Sequence, residues 1–154
     1  MPSQKAYLNQ SDVKKILAAA DAHAEKNNWG VSIAVVDDGG HLLGFTRRDA
    51  CPTISTYIAQ EKAKASALGR RETKVYEDII NGGRQSFLNA TAVLQGTLEG
   101  GVNIVVDGQT IGAIGVSGAK SDQDAEVAKA ADDRKAGSDP SPGKPLPWSM
   151  RVQL

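Results

Sequence analysis

The run "VNIVVDGQTIGAIGVSGAKS", residues 102–121, holds two apolar stretches on either side of Asp107-Gly108-Gln109. A turn sequence between two β-prone runs reads as a β-hairpin. A hairpin joins antiparallel strands, so an all-parallel sheet is excluded. The same run imitates a phosphate loop, with Gly112, Gly115 and Gly118 ahead of Lys120 and Ser121. A P-loop lysine follows its glycine directly, and here Ala119 intervenes; no G-x-G-x-x-G pattern is present either. Nucleotide hydrolysis is therefore not expected. Gly112 and Gly115, set among Ile111, Ile114 and Val116, instead admit close approach by a helix, another chain or a ligand. The expectation is a recess whose wall is made close-fitting by Gly112, Gly115 and Gly118. Gly118 turns the chain into a final helix, with Ser121 and Asp124 as a capping-box-like start. Free N–H groups there could hold a carboxylate.

Upstream, "VSIAVVD" at 31–37 and "HLLGFTR" at 41–47 flank a "DGG" turn and give a second hairpin. A helix is expected from Asn9 to Asn28, capped by Asn9 with Asp12, its stripe running Val13, Ile16, Leu17, Ala20, Ala24. Gly30 is expected to end it in a left-handed conformation. A second helix spans about 54–68, with Ile54, Ile58, Ala65 and Leu68 on its buried side and Ala59 and Ala63 allowing close packing. A shorter helix starts at Thr73 as its cap and turns Val75, Tyr76, Ile79 and Ile80 inward. Between Ser86 and Gly101 both helix and loop stay open. The order helix, hairpin, helices, hairpin, helix gives an α+β domain with an antiparallel sheet carrying helices.

The 154 residues carry no net charge, which suits one domain and gives no basic field for nucleic acid. The start lacks a secretory pattern, and no apolar run reaches the roughly 20 residues that span a bilayer. With Cys51 the single cysteine, there is no intrachain disulfide and no cysteine-based zinc site. A cytoplasmic protein is expected. After residue 136 a proline-rich connector leads to Leu146, Trp148, Met150, Val152 and Leu154, alternating as in an arm that pairs with a sheet edge. The division is a domain at 1–136 and a connector with arm at 137–154.

"VSIAVVDDGGHLLGFTRRD" at 31–49, "IAQEKAKASA" at 58–67 and "GGVNIVVDGQTIGAIGVSGAKSDQDAEVAKA" at 100–130 resemble the GlcG/HbpS-like proteins. That family also includes the C-terminal domain of PduO-type corrinoid adenosyltransferases, and the likeness covers nearly all of residues 9–135. The resemblance implies a profilin-like domain that forms dimers and often octamers. Some members bind or degrade haem, which makes haem the cofactor to consider. It does not fix a reaction.

His23, seven positions after Ile16, could offer a ring nitrogen to haem iron, and His41, just after a hairpin turn, is a second candidate. Without C-x-x-C-H, covalent haem attachment is not expected. Arg47, Arg48, Asp49 and Cys51 lie between a strand end and a helix start, where loops build sites. Strand alternation puts Arg47 and Arg48 on opposite faces, so one of them is expected in any pocket. Arg48 with Asp49 matches the family's arginine–aspartate position; Arg48 could grip a carboxylate, or the two could be an ion pair fixing the loop. Lys62 matches the family lysine and could serve as base or carboxylate anchor. Asp37 serves the turn or faces the mouth of a site. Three functions follow. One is a small-molecule-binding homo-oligomer for haem or another planar aromatic or carboxylated ligand, drawing on His23, His41, Arg48, Asp49, Lys62, Gly115 and Gly118. The second is a cofactor-independent enzyme of a small-molecule catabolic or biosynthetic pathway, acting on a carboxylated substrate through Asp37, Arg48 and Lys62, and the third is a purely structural assembly subunit.

Overall fold

A computed structural model describes residues 1–132. The alternating arm and connector expected at 137–154 lie outside the described residues. Helix α1 (Gln10–Lys26) begins at a capping box: Asn9 Oδ1 accepts the Asp12 N–H at 2.9 Å and Asp12 Oδ2 accepts the Asn9 N–H at 3.0 Å. Strands β1 (Ser32–Asp37) and β2 (Leu42–Arg47) form the first hairpin. Helices α2 (Ser55–Gly69) and α3 (Thr73–Asn81) follow, then a 3₁₀ turn at Gln85–Asn89 that resolves the open segment as mostly loop. Strands β3 (Gly101–Val106) and β4 (Gln109–Ser117) and helix α4 (Ser121–Ala130) complete the chain. The second hairpin turns on Asp107 and Gly108, both at positive φ, the two-residue geometry whose twist matches its strands.

The four strands order as β2-β1-β4-β3, every pairing antiparallel, so β1 and β4 are central. β1 is buried on both faces, which explains its unbroken apolar run. One face turns Ile33, Val35, Ile114 and Val116 toward Val13, Ile16 and Ala20 of α1 and Val127 and Ala128 of α4. The other packs Ala34, Val36 and Ala113 against Ala59, Ala63 and Ala67 of α2. The first interface is filled by branched aliphatics, the second by small residues at short range. At Gly115 a methyl group would overlap the Ala59 carbonyl oxygen and the Ala63 N–H. Of the partners that glycine could admit, the helix is the one found there.

Several sequence expectations change in three dimensions. Asn28, not Gly30, takes positive φ after α1. Gly30 is glycine for a different reason, since a Cβ would lie 2.7 Å from the Ala50 carbonyl oxygen. On α2, Ile54 and Leu68 are exposed, while Ala59, Lys62, Ala63 and Ser66 are buried. Large side chains cannot enter a gap of alanine width. Thr73 does not cap α3; its hydroxyl oxygen accepts the Gly101 N–H at 2.8 Å, tying the helix to β3. Tyr76 is buried as expected, but Val75 is exposed and Ile79 and Ile80 are half-buried. At α4 the capping residue is Lys120, whose N–H donates to Gln123 Oε1, and Asp124 turns inward instead.

Candidate functional site

Arg48 Nη1 donates to Asp21 Oδ1 on α1 at 2.6 Å, so its ion-pair partner is Asp21 and not Asp49. Arg47 Nη1 donates to Thr56 Oγ1 at 3.3 Å. Both arginines nevertheless line one cleft of about 340 Å³ with Asp21, Trp29 and Asp49. The expected alternation fails because β2 ends at Arg47, leaving Arg48 beyond the pleat.

The remaining candidates do not converge there. His23 Nε2 lies 3.0 Å from Glu126 Oε1, with its ring 6.1 Å from that of Trp29. His41 sits at the exposed hairpin end, Nδ1 3.1 Å from Asp37 Oδ1. The same Asp37 oxygen accepts the Gly39 and His41 N–H groups, which is the turn role. Burial works upward on the Asp37 carboxyl, but these donors and the His41 ring outweigh it and hold it below the ordinary range. Lys62 is 1% exposed, donating to the Val116 carbonyl at 2.9 Å and Asp124 Oδ2 at 3.0 Å. Burial pushes the Asp124 carboxyl up, against the pull of Lys62 and the Ala119 N–H. Cys51 is buried with Sγ 2.6 Å from Ser55 Oγ, and a Cβ at Gly118 would lie 2.9 Å from that sulfur. Among the described residues no group of three or more His, Cys, Asp or Glu is placed to hold a metal ion.

A second cleft, absent from the sequence reading, opens between the end of α2, α3 and residues 87–94. It measures about 260 Å³ and is walled by Leu68, Tyr76, Phe87, Val93 and Leu94, with Arg71 at its edge. The Tyr76 and Phe87 rings lie 5.7 Å apart, tilted by 44°, and the Arg71 guanidinium sits 5.6 Å from the Tyr76 ring. Tyr76 OH donates to the Ala65 carbonyl at 3.2 Å, and burial pushes its pKa up while Arg71 pulls it down. Gly69 permits this: a Cβ there would overlap the Tyr76 hydroxyl. The sequence signal was the Tyr76 position on an amphipathic helix, but Phe87 to Leu94 lay in the segment without periodicity. A third cleft, polar and about 440 Å³, lies at the hairpin ends. Of the predicted site residues, Arg47, Arg48 and Asp49 line the first cleft, and His23, Asp37, His41, Lys62, Gly115 and Gly118 line none of the three.

Residues 8–133 match the family described as haem degrading protein HbpS-like. The chain belongs to this family. Protein GlcG of Escherichia coli (strain K12) is 59% identical over 113 residues, spanning 73% of this chain and 83% of that protein. Among solved structures, Klebsiella pneumoniae protein ORFY superposes with a TM-score of 0.80 at 25% identity, covering 90% of this chain and 98% of that one. The PduOC:Heme complex superposes with a TM-score of 0.73 at 27% identity, covering 81% and 92%. The α+β architecture is that of these relatives. No helix among the described residues is long and apolar enough to cross a membrane.

Proposed function

We propose that this protein binds a planar, carboxylate-bearing ligand of the haem class in the Tyr76–Phe87 cleft, as a homo-oligomer. The observation that carries the reading is an apolar, aromatic-walled cleft with a guanidinium at its edge. Such a lining suits a flat hydrophobic ring system, and the arginine suits its acid group. Haem bound to a relative of the same fold and family supports the ligand class.

The residues present fit the two halves of haem unequally. One edge of the disc and one carboxylate find apolar walls and Arg71, the rest of the ring standing outside a cleft of about 260 Å³. Iron seeks imidazole, thiolate, thioether or phenolate, and the cleft lining has no His, Cys or Met, while the Tyr76 hydroxyl is committed to Ala65. His23 and His41 lie elsewhere, each beside a carboxylate. Nor do Asp37, Arg48 and Lys62 meet at a common centre, since each is engaged by its own partner. Binding is therefore preferred to acid–base catalysis.

The test is a spectrophotometric titration of the full chain with haemin and with metal-free protoporphyrin IX. Both are expected to saturate at one per chain. Arg71→Ala should weaken each by roughly tenfold or more, the worth of a charged hydrogen bond. Val93→Trp, which fills the cleft from its exposed loop side, should abolish both without changing the circular dichroism. Saturation that is unaltered in both variants, or no saturation by the wild type, would overturn the assignment. A haemin spectrum that changes with His23→Ala would move the site to α1.

A further inference from the structure

We propose that the polar cleft at the C-terminal end of α2 is a second binding site, specific for a small hydroxylated carboxylate. It is lined by Lys5, Asp38, Arg70, Asn103, Gln109 and Thr110, and at about 440 Å³ it falls in the range of small-ligand pockets. This inference does not rest on the porphyrin reading, because it involves another cleft and another chemistry.

α2 ends with Arg70 at φ 55 and ψ 40, a left-handed residue between two helical directions. The Arg71 N–H returns to the Ser66 carbonyl at 3.2 Å, and Ser66 Oγ donates to the Arg71 carbonyl at 2.8 Å, so the reversal is fixed. Two consecutive arginines thereby line different clefts, Arg71 the aromatic one and Arg70 the polar one. The left-handed position is one where glycine is favoured, yet it carries a long cationic side chain. The Arg70 guanidinium has no ion pair or hydrogen bond among the described residues. The other cation, Lys5, is matched by contact with Asp38, so the cleft keeps one uncompensated positive charge.

The floor supplies the second half of the specificity. Asn103 is 8% exposed and donates through Nδ2 to Thr110 Oγ1 at 3.2 Å. Its carbonyl oxygen accepts no hydrogen bond among the described residues, and the Thr110 hydroxyl still has its own proton to give. That oxygen is not sealed from solvent, and a ligand that brings a donor into the cleft can pair with it. Sulfate, fully ionised at neutral pH, brings acceptors only. A hydroxy-carboxylate brings both, its acid group to Arg70 in a bidentate pair and its hydroxyl to Asn103 Oδ1 and Thr110.

Isothermal titration calorimetry on the full chain with tartrate, succinate and sulfate separates the outcomes. Saturable heat is expected with tartrate, weaker by roughly tenfold with succinate, which lacks the hydroxyls. Arg70→Ala should reduce tartrate affinity by roughly tenfold or more, with partial return in Arg70→Lys because a lysine cannot make the fork. Thr110→Val should erase the preference for tartrate over succinate. Protoporphyrin IX binding should be unchanged in Arg70→Ala and Thr110→Val, which distinguishes failure here from failure of the aromatic cleft. Equal affinity for tartrate and sulfate, no saturable heat with tartrate, or full affinity in Arg70→Ala would each overturn the proposal.

Discussion

Lys62 illustrates how a residue's role depends on what surrounds it. In the sequence it is a helix lysine among alanines, open to a catalytic or anchoring role. In the fold it is sealed under the Gly100 backbone, joining α2 to Val116 of β4 and Asp124 of α4. A Cβ at Gly100 would lie 2.7 Å from the Lys62 ammonium, so the cover itself requires glycine. Removing one partner of a buried pair strands the other charge, at a cost of about 3–5 kcal/mol. Lys62→Met is therefore expected to lower unfolding free energy by about that amount in urea titrations. The double change Lys62→Met with Asp124→Leu should regain part of it, because no charge is then stranded. A stable Lys62→Met protein that fails to bind ligand would instead make Lys62 part of a site. Spacing could not have shown this, because the partner lies 62 positions away. By contrast, the Asn9–Asp12 box and the Asp37 turn were legible, since both close within four residues.

At the scale of elements, α2 and β4 define each other. The alanines of α2 read correctly as a close-packing surface, while the outward placing of Ile54 and Leu68 did not. A helix with small residues on one side and scattered large ones on the other satisfies the hydrophobic pattern either way round. What chooses the small side is the sheet, where Ala34, Ala113 and Gly115 present a surface low enough for the helix backbone to approach. Gly115→Ala should force α2 away from β4 and destabilise by about 1–3 kcal/mol or more, as overpacking against backbone does. Thermal and urea unfolding measure it; stability at the wild-type level would mean that α2 is less closely seated. Gly112→Ala meets the Val36 carbonyl and Leu8 and provides a comparison at the other end of the strand.

For the molecule as a whole, the outward stripe of α2 is the feature that a lone domain leaves unexplained. Ile54 and Tyr57, where α2 begins, are 60% and 70% exposed. Grouped exposed apolar side chains of this size mark interaction surfaces. They support the proposed self-association, with a second copy of the chain as occupant. Light scattering on eluted protein should show an oligomer for the wild type and a smaller species for Tyr57→Asp, with circular dichroism unchanged. A monomeric wild type would remove self-association from the reading.

Local chemistry in the sequence set the two hairpins, the first helix with its cap, the α+β class and the absence of a phosphate loop. Each depends on turn residues or on a periodicity that closes within a few positions. The family resemblance rests on those same hairpin segments and is upheld by the match over residues 8–133. The aromatic cleft, the polar cleft and the Lys62–Asp124 bond came from the tertiary structure alone. They are made by side chains brought together from distant parts of the chain, and Arg70 and Arg71 part ways only because the backbone reverses between them. Periodicity records which face of an element is apolar; which neighbour that face meets is settled by packing.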